Sequence, residues 1–225
     1  MNIEQLSETR QALLLTLKRE GPATIASLAS RLEMTREAVR QQFLQLENEG
    51  WIEGNINRET SNGGGRPSMR YRLTDAGDHL FPKHYDALTV EVLDTVSDQL
   101  GLEALKQVLF TMAEVRVREW ESRLQGLSLE ERMEALRELY LKDDNFMEVE
   151  NLNNDLFLIE KNCPFYNVAY KRPVLCNVTV TMLSRLLGYR VIRKERFQNG
   201  DGRCVFQVLL DEPIDNESTY FAFEA

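Results

Sequence analysis

Three cysteines, Cys163, Cys176 and Cys204, are the residues of this chain best placed to do chemistry, and they follow the spacing C-x12-C-x27-C. Thiolates suit zinc and iron–sulfur clusters, because both favour sulfur ligands. Structural zinc sites usually show closely paired cysteine knuckles, and this sequence has none. Long, irregular spacing fits a cluster held between separate elements. Pro164 follows Cys163 directly, as proline follows ligand cysteines in ferredoxin runs. Gly200 and Gly202 stand just before Cys204 and would let backbone amides reach cluster sulfides. The residues leave other readings open: zinc, a metal-free thiol switch closed by a disulfide, or three unrelated buried cysteines.

The elements around the cysteines read as a small α+β domain over 145–225. Residues 146–150 and 155–160 have strand character, with 151–154 as their turn. Residues 174–187 form an apolar helical pattern that Gly188 caps. Residues 189–193 and 204–210 are strand-like, joined by a turn at 199–202. The acidic tail from Asp211 gives no clear pattern. Upstream, 81–144 is helical. Leu88, Val92 and Val96 form one apolar stripe and Gly101 breaks it. Leu102, Leu105, Leu109, Met112, Val115 and Leu124 form a second stripe. Ser128 and Glu131 make a capping box before Met133, Leu136 and Tyr140. These long amphipathic helices read as a dimerisation region. His79 and His84 read as surface residues, with His84 kept as a candidate ligand.

The first eighty residues carry a different signature. Leu13, Leu14 and Leu17 stripe a helix that Gly21-Pro22 stops. Thr24 can cap a second helix and Thr35 a third that Gly50 ends. Two short helices joined tightly, the second amphipathic, are a helix-turn-helix. On the third helix Val39, Phe43 and Leu46 face inward. Thr35, Arg36, Arg40 and Gln41 lie elsewhere, and Arg and Gln are the side chains that read guanine and adenine edges. Strands over 51–56 and 69–73 flank Ser61-Asn62-Gly63-Gly64-Gly65-Arg66-Pro67. That glycine-rich tip with Arg66, and Arg70 and Arg72 beside it, can approach a sugar–phosphate backbone. The expected fold is therefore α+β, mostly α. It has a winged helix-turn-helix over 1–80, a helical segment over 81–144, and a small α+β cysteine domain over 145–225.

Gly64-Gly65-Arg66-Pro67, then Tyr71-Arg72-Leu73-Thr74 and Gly77, resembles the wing of ArsR/DeoR-type winged-helix regulators. Asn162-Cys163-Pro164-Phe165-Tyr166-Asn167-Val168-Ala169, Leu175-Cys176 and Gly200-Asp201-Gly202-Arg203-Cys204 look like the cluster-binding half of SufR-like iron–sulfur regulators. The resemblance implies a homodimeric repressor of iron–sulfur assembly genes that binds a double-stranded DNA operator. It implies a [4Fe–4S] cluster with Cys163, Cys176 and Cys204 as ligands. Some members carry a fourth cysteine where this chain has Tyr189 and Arg190, so a carboxylate, His84, a small thiol or solvent is left to complete the cluster.

The net charge of −9 is unevenly spread. Residues 1–80 hold ten Lys+Arg against eleven Asp+Glu, and the remainder carries a net −8, so the acidity belongs to the C-terminal part. No run of eighteen apolar residues and no secretory pattern is present, which points to the cytosol, where thiols stay reduced. No phosphate cradle, paired nucleophile or acid/base pair is visible, so an enzyme is not expected.

Overall fold

Short caps and glycine stops cut the N-terminal unit into its helices. The computed structural model describes residues 2–56, 69–142, 146–153, 155–214 and 221–222. Helix α1 (Glu8–Glu20) ends at Gly21. Thr24 opens α2 (Ile25–Arg31) by accepting from the Ser27 amide, and Thr35 opens α3 (Arg36–Asn48) by accepting from the Ala38 amide. Each hydroxyl satisfies an amide that the first turn leaves unpaired. Strands β1 (Ile52–Ile56) and β2 (Met69–Leu73) pair antiparallel, with Ile52 opposite Leu73 and Ile56 opposite Met69. The wing tip over 61–67, with Arg66, lies outside the described residues.

The core of this unit is filled from all three helices and both strands. Leu13, Leu14, Leu28, Val39, Phe43 and Ile52 are essentially inaccessible. Tyr71 meets Phe43 edge to face, with ring centroids 4.6 Å apart. After β2, Thr74 opens the one-turn α4 (Asp75–Asp78). Gly77 in that turn lies so close to Trp51 that a Cβ there would stand 1.9 Å from the Trp51 carbonyl oxygen.

The chain divides into two units, Met1–Lys83 and His84–Ala225. The second contains α5 (Tyr85–Leu100), α6 (Leu102–Leu124), α7 (Leu129–Lys142), β3 (Met147–Leu152), β4 (Asp155–Glu160), α8 (Tyr166–Lys171), α9 (Asn177–Leu187), β5 (Tyr189–Glu195) and β6 (Cys204–Pro213). Its sheet is antiparallel in the order β3-β4-β6-β5. One core joins Val117, Trp120 and Leu124 of α6, Met133 and Leu136 of α7, Met182 and Leu183 of α9, and Leu158 and Phe206 of the sheet. The fold is thus α+β and mostly helical, with a winged helix-turn-helix first and a small sheet last.

Three details differ from the sequence reading. The division at 81–144 and 145–225 does not separate compact bodies, because the amphipathic helices bury their apolar rows on the sheet domain. The helix expected over 174–187 begins as a 3-10 turn, Pro173–Cys176, with α8 before it. Pro173 lacks an N–H and drives Arg172 out of the helical region, so α8 stops and the chain starts again. The apolar stripes are also rotated. Leu105, Leu109, Ala113, Val117, Trp120 and Leu124 form the inward row of α6 and Leu93 the inward residue of α5, while Leu88, Val92, Met112 and Val115 are exposed.

Gly77→Ala should cost the N-terminal unit about 3 kcal/mol, because the clash is with backbone and cannot be relieved by a rotamer change; a thermal melt of the variant measures it. Lys18 and Lys83 hydrogen-bond the Asp78 carboxylate and hold it at about 2, below its ordinary 3.8. A depressed folded-state value means that the contribution is present above pH 3.8 and disappears as pH falls through about 2. Asp78→Asn should therefore lower stability at neutral pH and leave the loss below pH 3.8 shallower in an acid titration of the melting point.

Candidate functional site

The antiparallel pairing of β4, β6 and β5 sets up one end of the sheet as a polar pocket. Side chains alternate across a strand, so Leu156, Leu158 and Glu160 share one face of β4. Cys204, Phe206 and Val208 share a face of β6, and Val191 and Arg193 a face of β5. Register places Glu160 opposite Cys204, Leu158 opposite Phe206, and Phe206 opposite Arg193. The buried rows are therefore apolar along most of their length and end in Glu160, Cys204 and Arg193. Glu160 is 6% exposed and Arg193 8%.

The other two thiols close the pocket from the helical side. Cys163 lies on the loop after β4, and Cys176 ends the 3-10 turn that leads into α9. One cavity is lined by Cys163, Cys176 and Cys204 together with Glu160, Arg193 and Gln198. Gln198 donates from Nε2 to Cys176 Sγ at 3.3 Å and to the Ala169 carbonyl at 3.2 Å. Tyr166 and Phe197 meet edge to face at its wall, with centroids 6.0 Å apart. The free space inside is about 30 Å³, enough for a water molecule or two.

Burial governs the electrostatics. It pushes the Cys163 thiol up to about 12, reinforced by the Glu160 carboxyl, while the Phe165 amide, which donates to the sulfur, acts the other way. Burial raises Cys204 to about 11 against a hydrogen bond from the Phe197 amide. Burial raises Glu160 to about 7 despite the positive charges of Arg193 and Arg116. Burial is the largest cause at all three groups and favours their neutral forms; the positive charge of a metal centre would act the other way. The donor set fits an iron–sulfur cluster: three sulfurs from separate elements, one carboxylate, and two amides already directed at sulfur. Among the described residues, no three His, Cys, Asp or Glu side chains are placed to share a single metal ion.

The three predicted cysteines are thus brought to one cavity, and His84, at the start of α5, does not line it. Gly200 and Gly202 adopt left-handed φ values of 88° and 68° to make the turn, and the amides that reach sulfur belong to Phe165 and Phe197 instead. Sequence reasoning missed Glu160, Arg193 and Gln198. The signal for Glu160 was present: it continues the inward alternation of Leu156 and Leu158.

In the N-terminal unit, α3 divides its circumference among three tasks. Val39, Phe43 and Leu46 face the core. Arg10 of α1 hydrogen-bonds Gln42 at 3.3 Å, Gln45 at 2.6 Å and Glu49 at 3.2 Å, which ties down an adjoining side. The remaining face carries Arg36, Arg40, Gln41 and the 54%-exposed Leu44, with Thr35 at the helix start. Arg40 pairs with Glu37 at 3.1 Å, an exposed contact that a stronger partner can displace. Leu44 was not anticipated; an apolar side chain there suits a thymine methyl. Arg70 donates to the Pro22 carbonyl at 2.6 Å, and Arg72 pairs with Glu53 at 2.5 Å across the strands, so both are held on the outer face of β2.

Residues 6–53 match the family model described as winged helix-turn-helix DNA-binding, and residues 131–209 match the model described as methanogen output domain 1. The second match contains all three cysteines. No curated protein matches the chain. Two solved structures are similar to it. One, NMB1585, a MarR family regulator from Neisseria meningitidis, is 18% identical with a TM-score of 0.29, over 53% of this chain and 80% of that one. The other, the MarR family transcription regulator SP03579, is 21% identical with a TM-score of 0.30, over 64% of this chain and 72% of that one.

The N-terminal unit is a winged helix-turn-helix DNA-binding domain. Replacing Arg36 or Arg40 by Ala should weaken specific binding by about 1–3 kcal/mol wherever either reads a base, whereas Arg72→Ala should weaken all sequences alike and reduce the salt slope by about 1. Titrations of labelled duplex at several salt concentrations separate the two effects.

Proposed function

We propose that this chain is a homodimeric transcriptional regulator, a repressor, whose affinity for a double-stranded operator answers to an iron–sulfur cluster of the [4Fe–4S] kind held by Cys163, Cys176 and Cys204. By its resemblance to SufR-like regulators, the genes under control are those of iron–sulfur assembly. The observation that carries this reading is the meeting of three thiols from separate elements around one cavity, in a chain that also holds a DNA-binding domain. When bound, such a cluster supplies a redox-active core that is sensitive to oxygen.

The chain's own residues account for the rest. Cys163, Cys176 and Cys204 join the loop after β4, the start of α9 and the start of β6, so a shared partner would tie these elements into one arrangement. The Phe165 and Phe197 amides favour the thiolate forms of Cys163 and Cys204 by donating to sulfur. One feature favours a cluster over the alternatives. The three thiols line one cavity from separate elements, which suits a cluster that spreads its ligands over several irons.

Homodimerisation is supported by two apolar stripes left exposed among the described residues. On α5 these are Tyr85, Leu88 and Val92, and on α6 Val108, Met112 and Val115, all exposed and each set spaced by helical turns. Exposed apolar rows of this kind mark association surfaces. A two-fold partner is also what a winged helix needs to span two half-sites.

Protein purified without air should show broad visible absorbance that bleaches on exposure, with iron and acid-labile sulfide in comparable amounts; a colourless protein lacking both overturns the cluster. Cys176→Ser should lose the cluster while keeping the fold, and should change operator affinity by roughly 5–150-fold, the usual range of allosteric coupling. Val115→Glu should yield a monomer by light scattering, with weaker operator binding.

A further inference from the structure

We infer that Glu160 is the fourth ligand of the cluster, through its side-chain carboxylate. This rests on the cluster reading above and adds the residue that completes it. Three cysteines leave one corner of a four-iron cube without protein sulfur. Among the described residues that line the thiol cavity Glu160 is the one carboxylate, and it is 6% exposed. Its place is fixed by the sheet: it is the last inward residue of β4, directly opposite Cys204, and three residues before Cys163.

Burial of a carboxyl group here has a cost that needs an explanation. A leucine would continue the row of Leu156 and Leu158 without that cost. Arg193 lines the same cavity, and Arg116 acts on the carboxyl from α6, so cationic charge is already directed at this position. An iron corner is the stronger partner: one iron–oxygen bond forms at the carboxylate, and any proton it carries leaves to solvent. Oxygen is a harder and weaker partner for a cluster iron than thiolate. The iron held by Glu160 is therefore the one that leaves first, which makes one corner the point where scarcity of iron or attack by an oxidant is felt.

The test compares full-length wild type, Glu160→Gln and Glu160→Cys, each loaded with ferrous iron and sulfide without air. Iron and sulfide counts, Mössbauer spectra, and resistance to an iron chelator are read on each. The wild type is expected to hold four irons, one of them distinct in its Mössbauer parameters. Glu160→Gln is expected to lose that distinct iron and give a three-iron cluster. Glu160→Cys is expected to restore four irons, now all sulfur-held, and to slow extraction by the chelator. A distinct iron that survives unchanged in Glu160→Gln, or an extraction rate in Glu160→Cys equal to that of the wild type, overturns the assignment while leaving the three-cysteine cluster intact. A wild type that takes up no iron and sulfide overturns the cluster reading itself, and the assignment with it. Glu160→Cys also guards against misfolding of Glu160→Gln, since it reports on the same position with a second side chain.

Discussion

The interior end of a four-stranded sheet carries ionisable groups where apolar ones would be less costly. Leu156 and Leu158 give way to Glu160, Val208 and Phe206 give way to Cys204, and Val191 gives way to Arg193. Burying ionisable groups disfavours their charged forms, which is why Glu160, Cys163 and Cys204 are all driven toward neutrality. The rest of the unit supports this polar end. The helices α6, α7 and α9 fill the remainder of the sheet face with apolar side chains, so the cost is confined to one corner where two amides and Gln198 are already directed at sulfur.

In the DNA-binding unit the governing constraint is the circumference of one helix. Two sides of α3 are committed, one to the core and one to Arg10. What is left is a single open strip that carries Arg36, Arg40, Gln41 and Leu44. Candidate recognition residues are thus defined by exclusion: they are the side chains of α3 that neither fill the core nor hold the helix on its neighbour. The close approach of Gly77 to Trp51 anchors the turn that follows the second strand to the start of the first.

The long helices show how one amphipathic sequence can serve two surfaces. The row from Leu105 to Leu124 is inward and makes the core of the second unit. Met112 and Val115 belong to another row that remains outside, as do Leu88 and Val92 on α5. A single periodicity cannot distinguish these rows, since both repeat at helical spacing. This is why the sequence reading assigned Met112 and Val115 to the same stripe as Leu105 and Leu109.

Local chemistry was legible in the sequence because it depends on neighbours along the chain. Thr24, Thr35 and Thr74 cap helices, Ser128 and Glu131 form their reciprocal box, and Gly188 ends α9 in the left-handed region. The helix-turn-helix pattern and the cysteines themselves were readable for the same reason. Strand register, helix rotation and the break at Pro173 were settled by tertiary packing. Only that packing sets Glu160 beside Cys204 and turns Gln198 toward Cys176 across 22 residues of sequence. Spacing along a chain says which residues are available for chemistry, but a shared cavity is a property of distances between elements, and those distances exist only once the core has formed.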